Sequence, residues 1–147
     1  MRRRLLATDR RSFVDTAAYY ALADADDANH PSARVILTQL WTERWRLVTT
    51  NFVLAEIHAL VLHRLGRTPA LRALSNIRSS PATQIVRVTA ADEVRAWAII
   101  TQYTDKLFSY TDATSFAVME RLGLTQVFTF DRDFTQYGFI QLTLTPQ

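Results

Sequence analysis

Carboxylates beside apolar segments are the feature of this sequence that best suggests chemistry. Four of them, far apart along the chain, are Asp15, Glu56, Asp112 and Asp131. If folding gathers these side chains, their negative charges repel one another unless a divalent cation lies between them. Magnesium prefers such hard oxygen ligands and keeps several water molecules, so a few carboxylates can hold it. In this hypothesis a metal-activated water attacks a phosphodiester.

Asp15 and Asp112 also have local explanations. Asp15, followed by Thr16, closes an apolar segment and opens a predicted helix, so it can be a helix N-cap. Asp112 precedes an alanine-containing helix in which Thr111 can be the cap, which leaves Asp112 as a first-turn acid that favours the helix dipole. Each residue taken alone would be assigned a structural role, and only their joint pattern indicates a metal site.

Glu56 is harder to explain by local structure. Its neighbours three and four positions away in a predicted helix are apolar, so its carboxylate should be at least partly buried. A buried carboxylate costs several kcal/mol unless it is paired, protonated or bound to a metal. An ion pair with an arginine such as Arg72 and metal binding therefore both remain open for Glu56.

The segment Thr129–Phe134 ends an apolar strand with two acids, Asp131 and Asp133. Alternate residues point the same way only while a strand persists, so one acid can face the site while the other caps the following turn. We favour Asp131 as the ligand and keep Asp133 as a second candidate.

The elements that must position these acids alternate between strands and helices. Apolar strands are predicted at 11–15, 46–50, 84–88 and 126–130, with a short fifth at 139–142, and helical segments separate the first four. This alternation is typical of an α/β fold with a mostly parallel sheet and helices on both faces. Ligands of such sheets bind beyond the carboxyl ends of the strands, where Asp15 and Asp131 lie.

At these residues the chain resembles the PIN-domain nucleases, which include the VapC-like ribonuclease toxins of bacterial toxin–antitoxin pairs. The likeness covers Ser12 to Ile140 and rests on four short segments in the expected order: Phe13–Thr16, Thr50–Glu56, Tyr110–Ala117 and Thr129–Phe134. The resemblance implies a three-layer α/β/α sandwich formed by a single PIN-like domain over residues 1–147, with a core of about residues 12–142.

The resemblance also implies a function and a set of site residues. It implies an endoribonuclease that cleaves single-stranded RNA with Mg²⁺ or Mn²⁺, a homodimeric assembly, and a possible cognate antitoxin. The four acids would hold the metal, Thr16 would be a polar helper near Asp15, and Asn51 could serve similarly. The residues leave open whether the substrate is RNA or DNA and whether one or two ions bind.

Composition excludes several other functions. The 147 residues include no cysteine, which removes disulfides, thiolate nucleophiles and cysteine-based zinc sites and fits a reducing cytoplasm. No apolar run reaches the length of a membrane span, so we expect a cytoplasmic protein. The net charge of +3 favours binding to nucleic acid or to an acidic partner. The competing hypothesis is a non-catalytic RNA- or protein-binding domain with the same fold.

Overall fold

A five-stranded parallel sheet forms the centre of the protein, and the computed structural model describes residues 10–144. The strands lie in the order β3-β2-β1-β4-β5, and every neighbouring pair is parallel. Their bounds are β1 (Arg11–Val14), β2 (Arg46–Thr50), β3 (Thr83–Val86), β4 (Gln126–Phe128) and β5 (Ile140–Gln141).

Helices connect the strands because parallel neighbours need a crossover rather than a tight turn. Two helices lie in each of the first three connections, and one short helix precedes β5. Their bounds are α1 (Thr16–Ala23), α2 (His30–Thr42), α3 (Asn51–Leu65), α4 (Arg67–Ser79), α5 (Ala90–Gln102), α6 (Tyr110–Leu122) and α7 (Arg132–Tyr137). Within the described part of the chain, no helix is long and apolar enough to span a bilayer.

The two faces of the sheet bury different helices, as the alternation of side chains along a strand requires. In β1, Phe13 packs into a core with residues of α3, α5, α6 and α7. Its neighbour Val14 points to the opposite face and packs with residues of α1 and α2. Both side chains are at most 1% exposed, which is the expected burial of a central parallel strand. The three-layer α/β/α sandwich predicted from the sequence is therefore confirmed.

The order of the strands creates a switch point beside β1. The chain proceeds from β1 to β2 and β3 on one side, and then crosses to place β4 on the other side of β1. The crossovers on the two sides of β1 diverge, which opens a crevice at the carboxyl ends of β1 and β4. Both strands that precede a predicted acidic ligand therefore end at the same crevice.

The backbone conformation and the strand pairing decide where two elements end. Helix α2 ends at Thr42, and Arg44 just beyond it adopts a left-handed backbone conformation with φ 59°. The strand expected to reach Phe130 ends at Phe128, which pairs with Val14, the last residue of β1. Shortening β4 releases Thr129 and Phe130 from the sheet, and this release shapes the site described next.

Candidate active site

The ends of β1 and β4 bring Asp15 and Asp131 to the same edge of the sheet. Asp15 follows β1, and its backbone N–H donates to the carbonyl of Phe128 at 3.2 Å. Asp15 is also the N-cap of α1, where its Oδ2 accepts a hydrogen bond from the Ala17 N–H at 3.4 Å. Asp131 caps α7, and its Oδ1 accepts from the Asp133 N–H at 2.9 Å. Each acid therefore has a local role and also lies at the crevice.

Asp112 reaches the same place from the first turn of α6. The helix begins at Tyr110, two residues earlier than predicted, and its N-cap is Ser109 rather than Thr111. Ser109 Oγ accepts from the Asp112 N–H at 3.0 Å, and Asp112 Oδ2 accepts from the Ser109 N–H at 3.3 Å. This reciprocal capping box fixes the carboxylate at the start of the helix.

Asp15, Asp112 and Asp131 converge into one cluster. One carboxylate oxygen from each residue lies within 4.8 Å of the others. Asp15 and Asp112 are buried, and Asp131 is partly buried. Three carboxylates at this separation repel one another strongly unless they are protonated or share a cation. Their hard oxygen atoms are the ligands that Mg²⁺ and Mn²⁺ prefer.

Burial and mutual repulsion raise the pKa of all three acids. Burial is the largest cause for Asp15, whose pKa rises to about 7, and the nearby backbone N–H groups of Thr16 and Ala17 and the Thr129 hydroxyl oppose the rise. The pKa of Asp112 rises to about 8 through burial and then through the charge of Asp15. Burial also raises the pKa of Asp131. Without a cation, the cluster therefore holds protons near neutral pH.

One oxygen of Asp15 fits a ligand that the protein itself does not supply. Its Oδ2 accepts two hydrogen bonds, whereas the buried Oδ1 has no hydrogen-bond partner among the described residues. Buried carboxylate oxygens are rarely left unpartnered because desolvation without compensation is costly. A cation bound between Asp15, Asp112 and Asp131 would compensate this oxygen, so the residues present fit a divalent metal.

Glu56 and Asp133 lie beside the cluster. Glu56 is partly buried on α3, and its charge is close enough to contribute to the raised pKa of Asp131. It has no ion-pair partner within residues 10–144, so the alternative pairing with Arg72 is not formed. After burial and the charge of Asp15, the Asp133 side chain helps to raise the pKa of Asp112. On Asp131 it has two opposing effects, because its N–H lowers the pKa of that acid and its carboxylate raises it. Both acids extend the negative charge of the cluster, although neither is among the three that converge.

The two predicted supporting residues have different surroundings. Thr16 begins α1 directly after Asp15, and its Oγ1 is buried without a hydrogen-bond partner among the described residues. The Asn51 side chain instead accepts a hydrogen bond from the Val88 N–H at 2.9 Å. This bond ties the start of α3 to the segment that follows β3, which gives Asn51 a structural contact outside the acidic cluster.

Thr129 is a site residue that sequence reasoning missed. This fully buried side chain donates from Oγ1 to Asp15 Oδ2 at 3.0 Å and accepts from the Asp131 N–H at 2.9 Å. A single hydroxyl therefore holds both strand-end acids, and its carbonyl accepts from Gln141 Nε2 of β5 at 2.7 Å. The sequence feature that could have identified Thr129 is a threonine that follows an apolar strand and precedes an acid by two residues.

Comparison with known proteins adds independent information about this site. A sequence model of the PIN domain matches residues 12–140. The chain is 37% identical over 131 residues to the 23S rRNA-specific endonuclease VapC20 of Mycobacterium tuberculosis, and the match covers 88% of this chain and 96% of that protein. It is 29% identical over 115 residues to a VapC ribonuclease of Archaeoglobus fulgidus, with 77% of this chain and 72% of that protein covered.

A solved structure shares the same architecture. The crystal structure of M. tuberculosis VapC20, described as a sarcin-ricin loop cleaving toxin, is similar to this protein with a TM-score of 0.81 and 36% sequence identity. The similarity covers 90% of this chain and 98% of that one. The resemblance inferred from four short segments is thereby confirmed over the length of the fold. The chain belongs to the PIN-domain family.

Proposed function

We propose that this protein is a divalent-metal-dependent endoribonuclease that hydrolyses single-stranded RNA, and that it is the toxin of a toxin–antitoxin pair. The observation that carries the proposal is the convergence of three carboxylate oxygens within 4.8 Å at the switch point of the sheet. The Oδ1 of Asp15, which has no hydrogen-bond partner within residues 10–144, supports a cation between them. Mg²⁺ or Mn²⁺ fits this all-oxygen set.

Each carboxylate has a defined part in holding the ion. Asp15, Asp112 and Asp131 would be its direct ligands, and Asp131 is preferred over Asp133 because its oxygen lies in the converging set. Glu56 and Asp133 add negative charge at the rim, which favours retention of the cation. When bound, a divalent cation lowers the pKa of a water molecule and offsets charge on a phosphate.

The chain's own groups prepare the site for hydrolysis of a phosphodiester. Thr129 fixes the orientation of Asp15 and Asp131 relative to each other, so little rearrangement accompanies the reaction. In the reaction, a water oxygen forms a bond to phosphorus and the bond from phosphorus to the leaving oxygen breaks. Glu56 lies beside Asp131 but outside the converging set, so its carboxylate would be available to accept the proton that the water loses, and the leaving oxygen would take a proton from solvent.

The relatives support the choice of substrate and partners. The M. tuberculosis relative is described as a 23S rRNA-specific endonuclease and a sarcin-ricin loop cleaving toxin, and the archaeal relative as a ribonuclease. Structured RNA with an accessible single-stranded loop is therefore the substrate class proposed here. A cognate antitoxin protein, a homodimer and a cytoplasmic location belong to the same proposal.

Cleavage of RNA by purified variants tests the proposal. The substrate is 23S rRNA, incubated with Mg²⁺ or Mn²⁺ and separately with a chelator. Asp15→Asn should lower the cleavage rate about a hundredfold or more, and Glu56→Gln should lower it measurably. Asp105→Asn is the matched control, because Asp105 is 77% exposed and removal of its charge leaves the site intact.

Two results would contradict the proposal. Unchanged rates in both Asp15→Asn and Glu56→Gln would refute the assigned site. Cleavage that persists with the chelator would exclude a metal-dependent route. A calorimetric titration with Mn²⁺ that detects no binding, together with no cleavage, would instead favour the non-catalytic RNA- or protein-binding domain.

A further inference from the structure

A cleft beside the acidic cluster has properties that the proposed chemistry does not use. Its volume is about 610 Å³, and it is lined by residues of α1, α3 and α7, by the segment that precedes α7, and by Asp27 and Asn29 of the connection between α1 and α2. Asp131 lines the cleft and also belongs to the acidic cluster, so the two sites adjoin. A cavity of this size accommodates a small ligand or one unit of a polymer.

Arg64 of α3 lines this cleft in a fixed position. Its guanidinium carbon lies 4.9 Å from the centre of the Tyr20 ring, a cation–π contact between α3 and α1. The Tyr20 hydroxyl donates to Asp24 Oδ2 at 2.7 Å, which holds the ring in place. Within residues 10–144, Arg64 has no carboxylate partner at ion-pair distance. Asp24 is near enough for the Arg64 charge to help lower its pKa, but it lies beyond ion-pair distance, so the positive charge of Arg64 is only partly offset.

Arg132 contributes a second guanidinium closer to the acids. It lies between Asp131 and Asp133 in the chain, is exposed, and lines the same cleft. Over the part of the chain that the structure describes, its side chain forms no hydrogen bond or ion pair. Within residues 10–144, neither arginine forms an ion pair, and both line a cleft beside the acidic cluster. Two such arginines match a ligand whose negative charges repeat along its length, because a planar guanidinium binds phosphate with two hydrogen bonds.

An aromatic ring lies in the same cleft. Phe130 is only partly buried, because β4 ends before it, and its ring packs edge-on against Phe128 at 6.1 Å. Its remaining surface contributes to the cleft wall. A ring beside two guanidinium groups is suited to a base attached to a phosphate, since every base presents a face that stacks on an aromatic ring.

We propose that this cleft is an RNA subsite that binds the nucleotide next to the scissile phosphate. Arg132 and Arg64 hold its backbone phosphates, and Phe130 contacts its base. The inference rests on the proposed function, because the acidic cluster defines which phosphate is cleaved. An acidic peptide is a poorer match, because Asp27, Asp131 and Asp133 also line the cleft and a peptide of this kind has no base to stack on Phe130, whereas a cation held by the cluster would offset the charge of an RNA phosphate.

Binding and kinetics of arginine variants test this subsite. The probe is a fluorescent sarcin-ricin loop RNA, bound in EDTA to prevent cleavage, at salt concentrations between about 50 and 200 mM. Arg132→Ala and Arg64→Met should each weaken binding about fivefold, the loss expected for one exposed charge-assisted contact. Each should also lower the slope of log affinity against log salt by about 0.7, the value for one phosphate on a single strand.

The controls separate charge loss from loss of folding. Arg72→Ala removes one positive charge from an exposed position on α4 outside the cleft, and should leave both affinity and slope unchanged. Arg64→Met keeps an apolar stem over Tyr20, and the Arg132 side chain has no hydrogen bond or ion pair within residues 10–144 to lose. Thermal unfolding of each variant should match the wild type within about 1 kcal/mol, as is usual for surface substitutions.

Cleavage in Mg²⁺ or Mn²⁺ supplies a second readout. Arg132→Ala and Arg64→Met should raise KM with little change in kcat, because they remove binding that is equal in the ground and transition states. If affinity, salt slope and KM all equal those of the wild type while metal-dependent cleavage persists, the subsite is refuted and the proposed function stands. If no variant or wild type cleaves but the arginine variants lose RNA binding, the nuclease assignment fails and the RNA site remains. If every arginine variant binds and cleaves RNA as the wild type does, the subsite is refuted. If the wild-type protein neither binds nor cleaves RNA, the subsite and the proposed function are both refuted.

Discussion

Neutralising Asp112 should make the metal-free protein more stable while abolishing cleavage. In Asp112→Asn, the side-chain oxygen can still accept the hydrogen bond from the Ser109 N–H, so the capping box of α6 is retained. The substitution removes one negative charge that faces Asp15 and Asp131. We therefore expect electrostatic repulsion among these carboxylates to lower the stability of the folded protein when no cation is bound.

The magnitude follows from the raised pKa of Asp112. Burial, together with the charge of Asp15, raises it from an ordinary value of 3.8 to about 8. Each pKa unit corresponds to about 1.4 kcal/mol, so ionising this carboxyl in the folded state costs at most about 6 kcal/mol. Part of this cost is the repulsion between Asp112 and Asp15, which the two residues share, and structural relaxation of the cluster reduces the cost further. We expect Asp112→Asn to raise the free energy of unfolding by about 2–3 kcal/mol at pH 8.

The effect has a defined pH dependence. A carboxyl whose folded-state pKa is raised favours the folded protein below its unfolded-state pKa and loses this contribution as the pH rises through the folded-state pKa. For Asp112 the loss extends from about pH 4 to about pH 8. Asparagine does not ionise, so the stability difference between the variant and the wild type should be small near pH 4, grow with pH and level off above pH 8.

Asp92 provides a matched control. It has the same capping-box position in α5, with Thr89 as the N-cap, and its residue is 3% exposed. Arg121 donates to both of its carboxylate oxygens at 2.9 Å, and this pairing lowers the pKa of Asp92. Asp92→Asn should therefore destabilise the protein by about 1–3 kcal/mol, the opposite sign, because Arg121 loses the negative charge of its partner and one of its two acceptor oxygens.

Urea unfolding in EDTA at several pH values measures these differences. The reasoning would be refuted if Asp112→Asn were no more stable than the wild type at pH 8, or if its advantage did not change with pH. The same sign for Asp92→Asn and Asp112→Asn would also contradict it, because the two carboxylates share a local structure and differ only in their tertiary partners.

Two further predictions concern the same cluster. Thr129→Val removes the hydroxyl that holds Asp15 and Asp131 and should lower kcat about tenfold or more, whereas Thr129→Ser should retain most activity; equal rates for both variants would exclude a positioning role. Mn²⁺ binding should release protons below pH 7 and tighten as the pH rises to about 8, because Asp15 and Asp112 must ionise; calorimetry in buffers of different ionisation enthalpy measures this release, and its absence would contradict the raised pKa values.

The sequence by itself determined the elements and the local positions of most acids. Apolar strands separated by helices indicated a parallel sheet, since these signals act over a few residues. The positions of Asp15 at the end of β1 and of Glu56 on an apolar helix face could also be identified, because they depend only on residues nearby in the sequence. The boundaries of α6 and β4 differ from the prediction because a neighbouring strand or capping residue decides where a helix or strand ends.

Only the tertiary structure decided which acids meet. The crossover after β3 could have placed β4 at either edge of the sheet, and its position beside β1 brings Asp131 to Asp15. The same packing brings Asp112 into the cluster, places Thr129 between two acids and leaves Glu56 at the rim. The raised pKa values arise from this proximity and burial, because electrostatic repulsion depends on distance in space and not on separation along the chain.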